Sequence, residues 1–288
     1  MLINASKCPT DVLERVSTFV HNDVDFAKEN FSLCTNPIEV SRALASSESW
    51  YILATDQPTA LLRLQISESV ASVSQICVNS DDSLGAVILG LRHDLRDMRI
   101  TNIAVRIPPN RMEPLNASGF EKRASYVKFS RVPAETKMMP ILPLVNATQK
   151  EIPMLSRLMY GAYAKTDHVF SDIQSAEKTL LSIMSGVQGR YLSEASFASG
   201  ATQNLVSACL LTLDSPSQAN IAQLFTHPLY RARGLATTEI AMAMNRLVEF
   251  GVGNLTVWNR ESDDVVRRLL TKMDFKNVGK IVEMVATI

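Results

Sequence analysis

Two arginines and a glycine lie in a short segment between an apolar strand and an amphipathic helix. Residues 231–236 read R-A-R-G-L-A. The first turn of a helix carries backbone N–H groups without intrahelical partners, and the aligned peptide dipoles make that end electropositive. Glycine lets the backbone approach a ligand closely, and arginine pairs with phosphate oxygens. The segment therefore predicts an anion-binding cradle suited to a pyrophosphate.

The alternative is that Arg231 and Arg233 are solvated surface charges and that Gly234 only permits a turn. Short glycine-basic strings arise often by chance, so six residues alone are weak evidence. The position of this string favours binding, because a strand precedes it and a helix, a second strand and a second helix follow it. The apolar face of the first helix consists of Ala236, Ile240, Ala243, Met244 and Leu247.

The composition limits the classes of function. The chain has 288 residues, and 46% hydrophobic with 20% charged residues is ordinary for a globular protein of about two domains. A net charge of +0 provides no long-range attraction to nucleic acid or acidic lipid. The four cysteines form no C-x-x-C pair, so no metal site is predicted. No signal peptide or apolar run of ~20 residues is present, and a reducing cytoplasm fits best.

The two halves of the chain carry the same pattern of strand, helix and strand. The corresponding segments are residues 72–78, 84–98 and 100–107 in the first half and 220–226, 235–250 and 255–258 in the second. Each half then reaches a phenylalanine followed by charged residues, at Phe120 and Phe275. This spacing indicates a duplicated domain rather than a short repeat. The polar stretch RVPAETK at residues 131–137 is the predicted linker, which divides the chain into domains over 1–134 and 135–288.

The second half has further predicted elements ahead of the cradle. A strand is expected over residues 139–145, and helices over 151–160 and 173–184. Thr148 and Glu151 have the spacing of a capping box for the first of these helices. Residues 191–198 and 204–213 are predicted as paired strands around a Ser199-Gly200-Ala201 turn.

The cradle and its flanks resemble the GNAT superfamily of N-acetyltransferases, whose pyrophosphate loop reads Q/R-x-x-G-x-G/A. The five residues H-P-L-Y-R that end at Arg231 are similar to the residues that lead into this loop in the family. L-T-V-W-N ending at Asn259 is similar to the next strand, and residues 266–275 resemble the closing helix. The resemblance covers roughly the last half of the chain. The string Y-R-A-R-G-L-A is also similar to that of glycine N-acyltransferase-like domains.

The resemblance implies an α/β (α+β) protein of two tandem GNAT-like domains, each with a mixed, mostly antiparallel central sheet flanked by helices. In the first domain Asp81 and Asp82 occupy the cradle position. Two such charges ~4 Å apart repel by about 4 kcal/mol at an effective dielectric constant near 20, and they would meet phosphate there. The first domain is therefore expected to be a degenerate copy without a phosphate loop, and the second to be the acyl-CoA-binding catalytic domain.

The implied activity is transfer of an acetyl group from acetyl-CoA, or of another acyl group from its CoA ester, to a primary amine by direct attack in a ternary complex. The acceptor is a small molecule or an exposed amino group. The protein is expected to bind no metal, nucleic acid or membrane, and it could form a homodimer. The alternative is a non-catalytic acyl-CoA-binding or regulatory protein, favoured by Leu270 at the usual tyrosine position. A weaker alternative is a module that binds another nucleotide.

The resemblance assigns the site residues in two stretches and a few single positions. The strand residues would pair through their backbone with pantetheine amides, and the cradle residues would hold the pyrophosphate. The cofactor-binding candidates are Leu224, Phe225, Thr226, Arg231, Ala232, Arg233, Gly234, Leu235, Ala236 and Thr237. Glu194 and His227 are the candidates for the general base, with an outward strand carboxylate and a turn residue as the structural alternatives. Asn259 is the candidate for a polar catalytic role, and Asp274 replaces a usual glycine.

Overall fold

A computed structural model describes residues 1–23, 26, 34, 36–46, 50–54, 58–67, 69–78, 84–164, 170–187, 189–201 and 204–288. These residues form two compact units. Unit 1 comprises Met1–Val127, Arg260–Ser262 and Lys280–Ile288, and unit 2 comprises Lys128–Asn259 and Asp263–Gly279. Each unit therefore contains part of a terminal strand from the other half of the sequence. The predicted division into domains over residues 1–134 and 135–288 stays a prediction.

The regular elements follow one another along the chain as strands and helices in mixed order. The described helices are α1 (Thr10–Asn22), α2 (Pro37–Ala45), α3 (Leu84–Asp97), α4 (Met112–Ala117), α5 (Ile152–Tyr163), α6 (Ile173–Met184), α7 (Leu235–Glu249) and α8 (Asp264–Lys272). The described strands are β1 (Leu2–Asn4), β2 (Trp50–Ala54), β3 (Pro58–Ser67), β4 (Val70–Val78), β5 (Asn102–Ile107), β6 (Glu121–Arg131), β7 (Leu144–Asn146), β8 (Arg190–Tyr191), β9 (Phe197–Ala201), β10 (Asn204–Ser215), β11 (Gln218–Thr226), β12 (Asn254–Arg260) and β13 (Lys276–Thr287).

Unit 1 contains the strand order β1-β2-β3-β4-β5-β13, in which β4 and β5 are parallel and the other recorded pairs are antiparallel. Helices pack on both faces of this sheet, and the first part of β4 alternates exposed with buried residues. The face toward α3 buries Leu84, Ile88 and Leu91, together with side chains from β5 and β13. The opposite face packs against α1 and α2.

Unit 2 contains the strand order β12-β11-β10-β9-β7, and β8 also pairs with β10. Here β11 and β12 are parallel, while β10 is antiparallel to β8, β9 and β11. Helices α5 and α6 cover one face of this sheet, and α7 packs against β9, β10 and β11. The predicted class, a mixed and mostly antiparallel sheet flanked by helices, is confirmed.

Local hydrogen bonds repeat between the two units at corresponding positions. The carbonyl oxygen of Ser69 accepts the N–H groups that open β5, and that of Ser217 accepts those that open β12. After α4 the N–H of Phe120 bonds the carbonyl of Leu115, and after α8 the N–H of Phe275 bonds that of Leu270. These matching ends agree with the duplication that the sequence pattern indicates. Asp274 has φ +59°, as expected of a residue in a glycine position.

Several predicted elements are confirmed and others need correction. Helix α6 has the predicted bounds, and the capping box of Thr148 and Glu151 is present ahead of α5. The predicted strand over 139–145 shrinks to β7, because prolines at 140 and 143 have no N–H to donate. The predicted strand over 191–198 is interrupted by a 3₁₀ turn at Ser193–Ala195.

The predicted Ser199-Gly200-Ala201 turn is wrong, because all three residues lie within β9. Gly200 is needed there for close approach rather than for a turn. Its φ is +137°, and a Cβ at this position would overlap the carbonyl oxygen of Asn204 on β10. The neighbouring irregularity in the β9–β10 register, between Leu205 and Ser207, accompanies this tight contact.

Replacing Gly200 with alanine should therefore destabilise unit 2 by about 3 kcal/mol, since both the backbone angle and the contact oppose a methyl group. Guanidinium unfolding measures the loss. The matched control is Gly161→Ala in α5, where a Cβ meets nothing within 4 Å. This control should gain about 0.5–1 kcal/mol from helix propensity. Equal stabilities of the two variants would contradict the assigned contact.

Unit 1 holds a buried carboxylate at Glu283 on β13, which is 2% exposed. Arg123 donates from Nε to its Oε1 at 2.7 Å, and Arg106 donates from Nε to its Oε2 at 3.1 Å. Burial by itself would raise the pKa of Glu283, but the hydrogen bond from Arg123 and the charges of both arginines bring the net pKa below its usual value. The pair of arginines thus fixes the C-terminal strand next to β5.

Replacing Glu283 with glutamine should lower the free energy of unfolding of unit 1 by about 2 kcal/mol at pH 7. Because the folded pKa is lowered, the wild-type advantage is present above the unfolded value of about 4.3 and is lost as pH falls below it. Trp50 and Trp258 are the two tryptophans, so a Trp258→Phe background lets Trp50 fluorescence report unit 1. Glu261→Gln, at an exposed pair with Lys280, is the control. A variant as stable as wild type at pH 7 would contradict this role.

Candidate functional site

An opening in the sheet of unit 2 forms where β11 leaves its parallel neighbour β12. The recorded pairs begin at Gln218 and Asn254 and end at Asn220 and Thr256. On its other side, β11 continues to pair with β10 up to Thr226, and the register skips Ala222. A bulge bends a strand and increases its twist. The bulge at Ala222 therefore accounts for the departure of β11 from β12.

The free edge of β11 presents backbone groups of alternate residues to this opening. The N–H of His227 bonds the carbonyl of Val206 on β10, which sets the alternation along the strand. Leu224 and Thr226 consequently turn their backbone groups away from β10 and toward the opening. Phe225 turns its carbonyl toward β10, where it lies 3.4 Å from the Ser207 hydroxyl, and its side chain lies in the core. Two of the three predicted strand residues thus have outward-facing N–H groups.

The cradle follows β11 directly. A 3₁₀ turn at Pro228–Tyr230 leads into Ala232, which has φ +59°, and Gly234, which has φ +81° and caps α7. The first helical hydrogen bond runs from the N–H of Thr238 to the carbonyl of Gly234. The N–H groups of residues 235–237 precede this bond, so they have no intrahelical acceptor. The electropositive helix end predicted from the sequence is present.

The two cradle arginines have different surroundings. Arg231 donates from Nε to the carbonyl of Thr226 at 3.3 Å and from Nη2 to the carbonyl of Ala162 at 2.7 Å. Its side chain therefore fastens the cradle to β11 and to the end of α5. Arg233 is exposed, and its guanidinium lies 5.2 Å from the centre of the Tyr230 ring. Arg233 is the better placed of the two for contact with a ligand.

The backbone geometry at Gly234 bears on whether the cradle can fit a diphosphate. Its left-handed φ is one that other residues rarely adopt, and a Cβ would lie 3.0 Å from Cδ1 of Ile141. Unpaired N–H groups at a helix N-terminus, a glycine at its mouth and an exposed guanidinium suit a phosphate oxygen. The corresponding segment of unit 1, with Asp81 and Asp82, lies outside the described residues, so the loss of that cradle stays a prediction.

Tyr163 is a site residue that the sequence reasoning missed. Its hydroxyl lies 3.2 Å from Oε1 of Gln223 and 3.3 Å from the carbonyl oxygen of Leu224, beside the free edge of β11. Burial and the nearby charge of Asp263 raise the pKa of Tyr163 to about 12, against the lowering effect of Arg231. Tyr163 follows Met159 by four residues and so lies on the same buried face of α5. This spacing could have identified Tyr163, but the sequence predicted that the helix ends at Tyr160.

The side chains of His227 and Asn259 form hydrogen bonds with nearby backbone groups next to the site. Nδ1 of His227 accepts the N–H of Leu229 at 3.3 Å, and the ring packs edge-on against Tyr230. Asn259 is 7% exposed and donates from Nδ2 to the carbonyl of Asp263 at 3.1 Å, which shapes the entry to α8. Both residues border the cradle or the end of β12, and their catalytic roles stay predictions.

Glu194 lies at a different place. It lines a shallow depression with Tyr191 and Phe250. Phe250 caps the C-terminal end of α7, whereas the cradle lies at the N-terminal end. A helix of 15 residues is about 22 Å long, so the structure does not bring Glu194 to the cradle.

Leu270 is fully buried on α8, where it packs in the core and presents no polar group.

Within the described ranges, no group of three or more His, Cys, Asp or Glu side chains is arranged to hold a metal ion. In the same part of the chain, no helix has the length and apolar character needed to span a membrane.

Comparisons with known proteins place this geometry in a known fold. No protein-family model matches the sequence, and no curated protein matches it. The structure is similar to that of a GCN5-related N-acetyltransferase from Sphaerobacter thermophilus, with a TM-score of 0.67, 12% identity, and coverage of 100% of this chain and 95% of that chain.

Two further solved structures are also similar. A tandem GNAT protein from the clavulanic acid biosynthesis pathway matches with a TM-score of 0.65 and 12% identity over 100% of this chain and 98% of that chain. An acetyltransferase of the GNAT family from Colwellia psychrerythraea matches with a TM-score of 0.53 and 9% identity over 92% of this chain and 96% of that chain. At such identities the likeness concerns the fold.

Replacing Gly234 with valine should weaken binding of coenzyme A by tenfold or more, because the cradle must change shape to relieve the backbone strain and the contact with Ile141. Isothermal titration calorimetry on the full chain measures the dissociation constant. The control is Gly253→Ala, which lies outside the cradle and meets only ordinary contact at 3.7 Å. Unchanged affinity in a folded Gly234→Val protein would contradict the assignment of the cradle.

Proposed function

Because the chain has the tandem GNAT fold, we propose that it is an acyl-CoA-dependent N-acyltransferase whose active site lies in unit 2. The proposed reaction moves an acetyl group, or another acyl group, from its CoA ester to a primary amine by direct attack in a ternary complex. One observation carries the proposal: the outward-facing backbone of β11 leads directly into an anion cradle at the start of α7. Coenzyme A carries an arm with amide groups next to its pyrophosphate. It would therefore need the strand edge for the amides and the anion cradle for the pyrophosphate, one directly after the other.

The binding roles follow from the groups that each residue offers. Backbone N–H groups of Leu235, Ala236 and Thr237 would hold the pyrophosphate, together with Arg233 and the adjoining Ala232 and Gly234. The N–H groups of Leu224 and Thr226 would bond the pantetheine amides as a neighbouring strand would. Arg231 would act mainly by fixing the loop. Acetyl-CoA supplies the thioester when bound, and holding it beside the amine lowers the entropic cost of reaction.

Tyr163 is the proposed hydrogen-bond donor at the reacting end of the opening. Its hydroxyl is close to Gln223 and Leu224, which follow the bulge at Ala222. A pKa of about 12 keeps the phenol protonated at neutral pH, so it donates a hydrogen bond where negative charge develops. We assign to Tyr163 the donor role that Leu270, an apolar core side chain, cannot fill. His227 and Asn259 stay candidates for handling the amine proton, and Glu194 is the least favoured by its position.

The alternative is a non-catalytic acyl-CoA-binding or regulatory protein that retained the cradle. The burial of Leu270 favours this alternative, because the usual tyrosine position of the family is then without a proton donor. The two proposals differ in whether binding is followed by release of the free thiol. The acceptor in the first proposal is a small molecule or an exposed amino group.

The proposal also covers the role of the first half of the chain and the location of the protein in the cell. Residues 1–134 would be a degenerate GNAT-like copy without a phosphate loop, and residues 135–288 the catalytic copy, with some similarity to glycine N-acyltransferase-like domains. All four cysteines carry free thiols, which supports a reducing, cytoplasmic location. A homodimer is compatible with this proposal but is not required by it.

Replacing Tyr163 with phenylalanine should lower kcat by about 100-fold while KM for acetyl-CoA stays within a factor of two, since a donor to developing charge is removed. Thiol release from acetyl-CoA across a panel of primary amines provides the assay. Tyr160→Phe, one turn earlier on α5, is the matched control. A wild-type protein that binds coenzyme A in a thermal-shift assay but releases no thiol with any amine would favour the non-catalytic alternative.

A further inference from the structure

A carboxyl group lies buried beneath the cradle, and none of the described residues forms an ion pair with it. Glu239, in the second turn of α7, is 0% exposed. The Ser199 hydroxyl donates to its Oε1 at 2.5 Å, and the Ser207 hydroxyl donates to its Oε2 at 2.9 Å. Among the described residues it forms no salt bridge. A buried carboxylate with only neutral donors carries an uncompensated charge, which strongly favours the protonated form.

In the part of the chain that the structure describes, the elements packed against α7 present no basic group to this carboxyl. Strand β9 presents Ser199, β10 presents Ser207 and Cys209, and β11 presents Thr226 through Ser207. In the 3₁₀ turn at Ser193–Ala195, which also packs on α7, the titratable group is Glu194, and it is exposed. Burial raises the pKa of Glu239 to about 8, despite its serine donors, and burial with the nearby Glu239 keeps the Cys209 thiol neutral.

Hydrogen bonds connect Glu239 to the cradle. The Ser207 hydroxyl that donates to Glu239 lies 2.8 Å from the hydroxyl of Thr226, at the end of β11. The carbonyl of Thr226 accepts a hydrogen bond from Arg231, which fastens the cradle. Glu239 also lies only five positions beyond Gly234, about 7 Å along the helix axis. A charge on this carboxyl therefore lies next to the cradle both through bonds and through space.

We propose that Glu239 is a positioning residue that keeps the cradle receptive to a diphosphate ligand only while its carboxyl is neutral. Loss of the proton to solvent puts a negative charge beneath N–H groups that should face phosphate oxygens. It also changes the hydrogen bonds of Ser207, which contacts Thr226, because a carboxylate can only accept whereas the neutral carboxyl also donates its own proton. Repulsion across about 10 Å at an effective dielectric constant near 20 corresponds to roughly tenfold weaker binding. This inference rests on the proposed coenzyme A site.

The direction of the pH effect follows from the raised pKa. Folding protonates Glu239 at neutral pH, while the unfolded group titrates near 4.3. The stability of unit 2 should therefore fall as pH rises from about 4 toward 8, and affinity for the ligand should fall as pH rises through about 8. A role in packing alone would produce no ligand-specific change between pH 7 and 9.

The test compares the dissociation constant of dephospho-coenzyme A at pH 6.5 and 9.0 by calorimetry, for the wild type and for Glu239→Gln. Dephospho-coenzyme A avoids the titration of the 3′-phosphate. Wild-type affinity should weaken about fivefold between the two pH values, because about a tenth of Glu239 is still neutral at pH 9.0, while Glu239→Gln, which is neutral throughout, should change less than twofold. Glu249→Gln, at an exposed pair with Arg246 on the same helix, should behave as wild type. Equal pH dependence in wild type and Glu239→Gln would overturn the inference.

A second measurement does not depend on the variant or on the ligand. Difference infrared spectroscopy of the wild-type protein should show a protonated carboxylic acid band at pH 7 that disappears between pH 7.5 and 9. Absence of that band at pH 7 would overturn the inference even if Glu239→Gln does not fold. A wild type that shows the band but binds no dephospho-coenzyme A at pH 6.5 would refute the coenzyme A site and the ligand effect, while confirming the neutral carboxyl.

Discussion

The parting of β11 from β12 after Asn220 is the constraint on which the site depends. Three residue pairs hold the strands together, and a bulge at Ala222 then turns β11 away. A fully paired strand would have no free N–H groups between neighbours, and a fully free strand would have no fixed direction. Because β10 holds the other edge of β11 as far as Thr226, the free groups keep a defined spacing. The cradle then begins within a few residues of the last of them.

Unit 1 has the same combination of a bulge and a parting of parallel strands in its own sheet. Strand β4 skips Ser74 in its register with β3, and its recorded parallel pairs with β5 end at Val73 and Val105. The bulge and the parting of the strands therefore recur in both units. The halves diverge in the residues that would meet a ligand: Gln223 of unit 2 lies near a tyrosine hydroxyl, whereas the amide oxygen of Gln75 in unit 1 is buried without a hydrogen-bond partner among the described residues.

The sequence predicted those features that depend on local chemistry. The helix that begins after Gly234, the bounds of α6 and most of the apolar face of α7 follow from residue types at short spacing, and the structure contains them. Features that depend on the pairing of distant segments were out of reach. Arg231 was predicted to bind phosphate, yet the carbonyls of Thr226 and Ala162, which only the fold brings together, accept its hydrogen bonds. Tyr163 and Glu239 gain their surroundings in the same way, from strands far along the chain.

Hydrogen–deuterium exchange, resolved to single amides, tests the central claim most directly. With saturating acetyl-CoA, the amides of Leu224 and Thr226 and those of residues 235–237 should exchange at least tenfold more slowly than in the free protein, because each would gain an acceptor. The amide of Phe225, which faces β10, should change much less. Unchanged exchange at the cradle and at both strand amides, or protection confined to residues 1–127, would contradict the account.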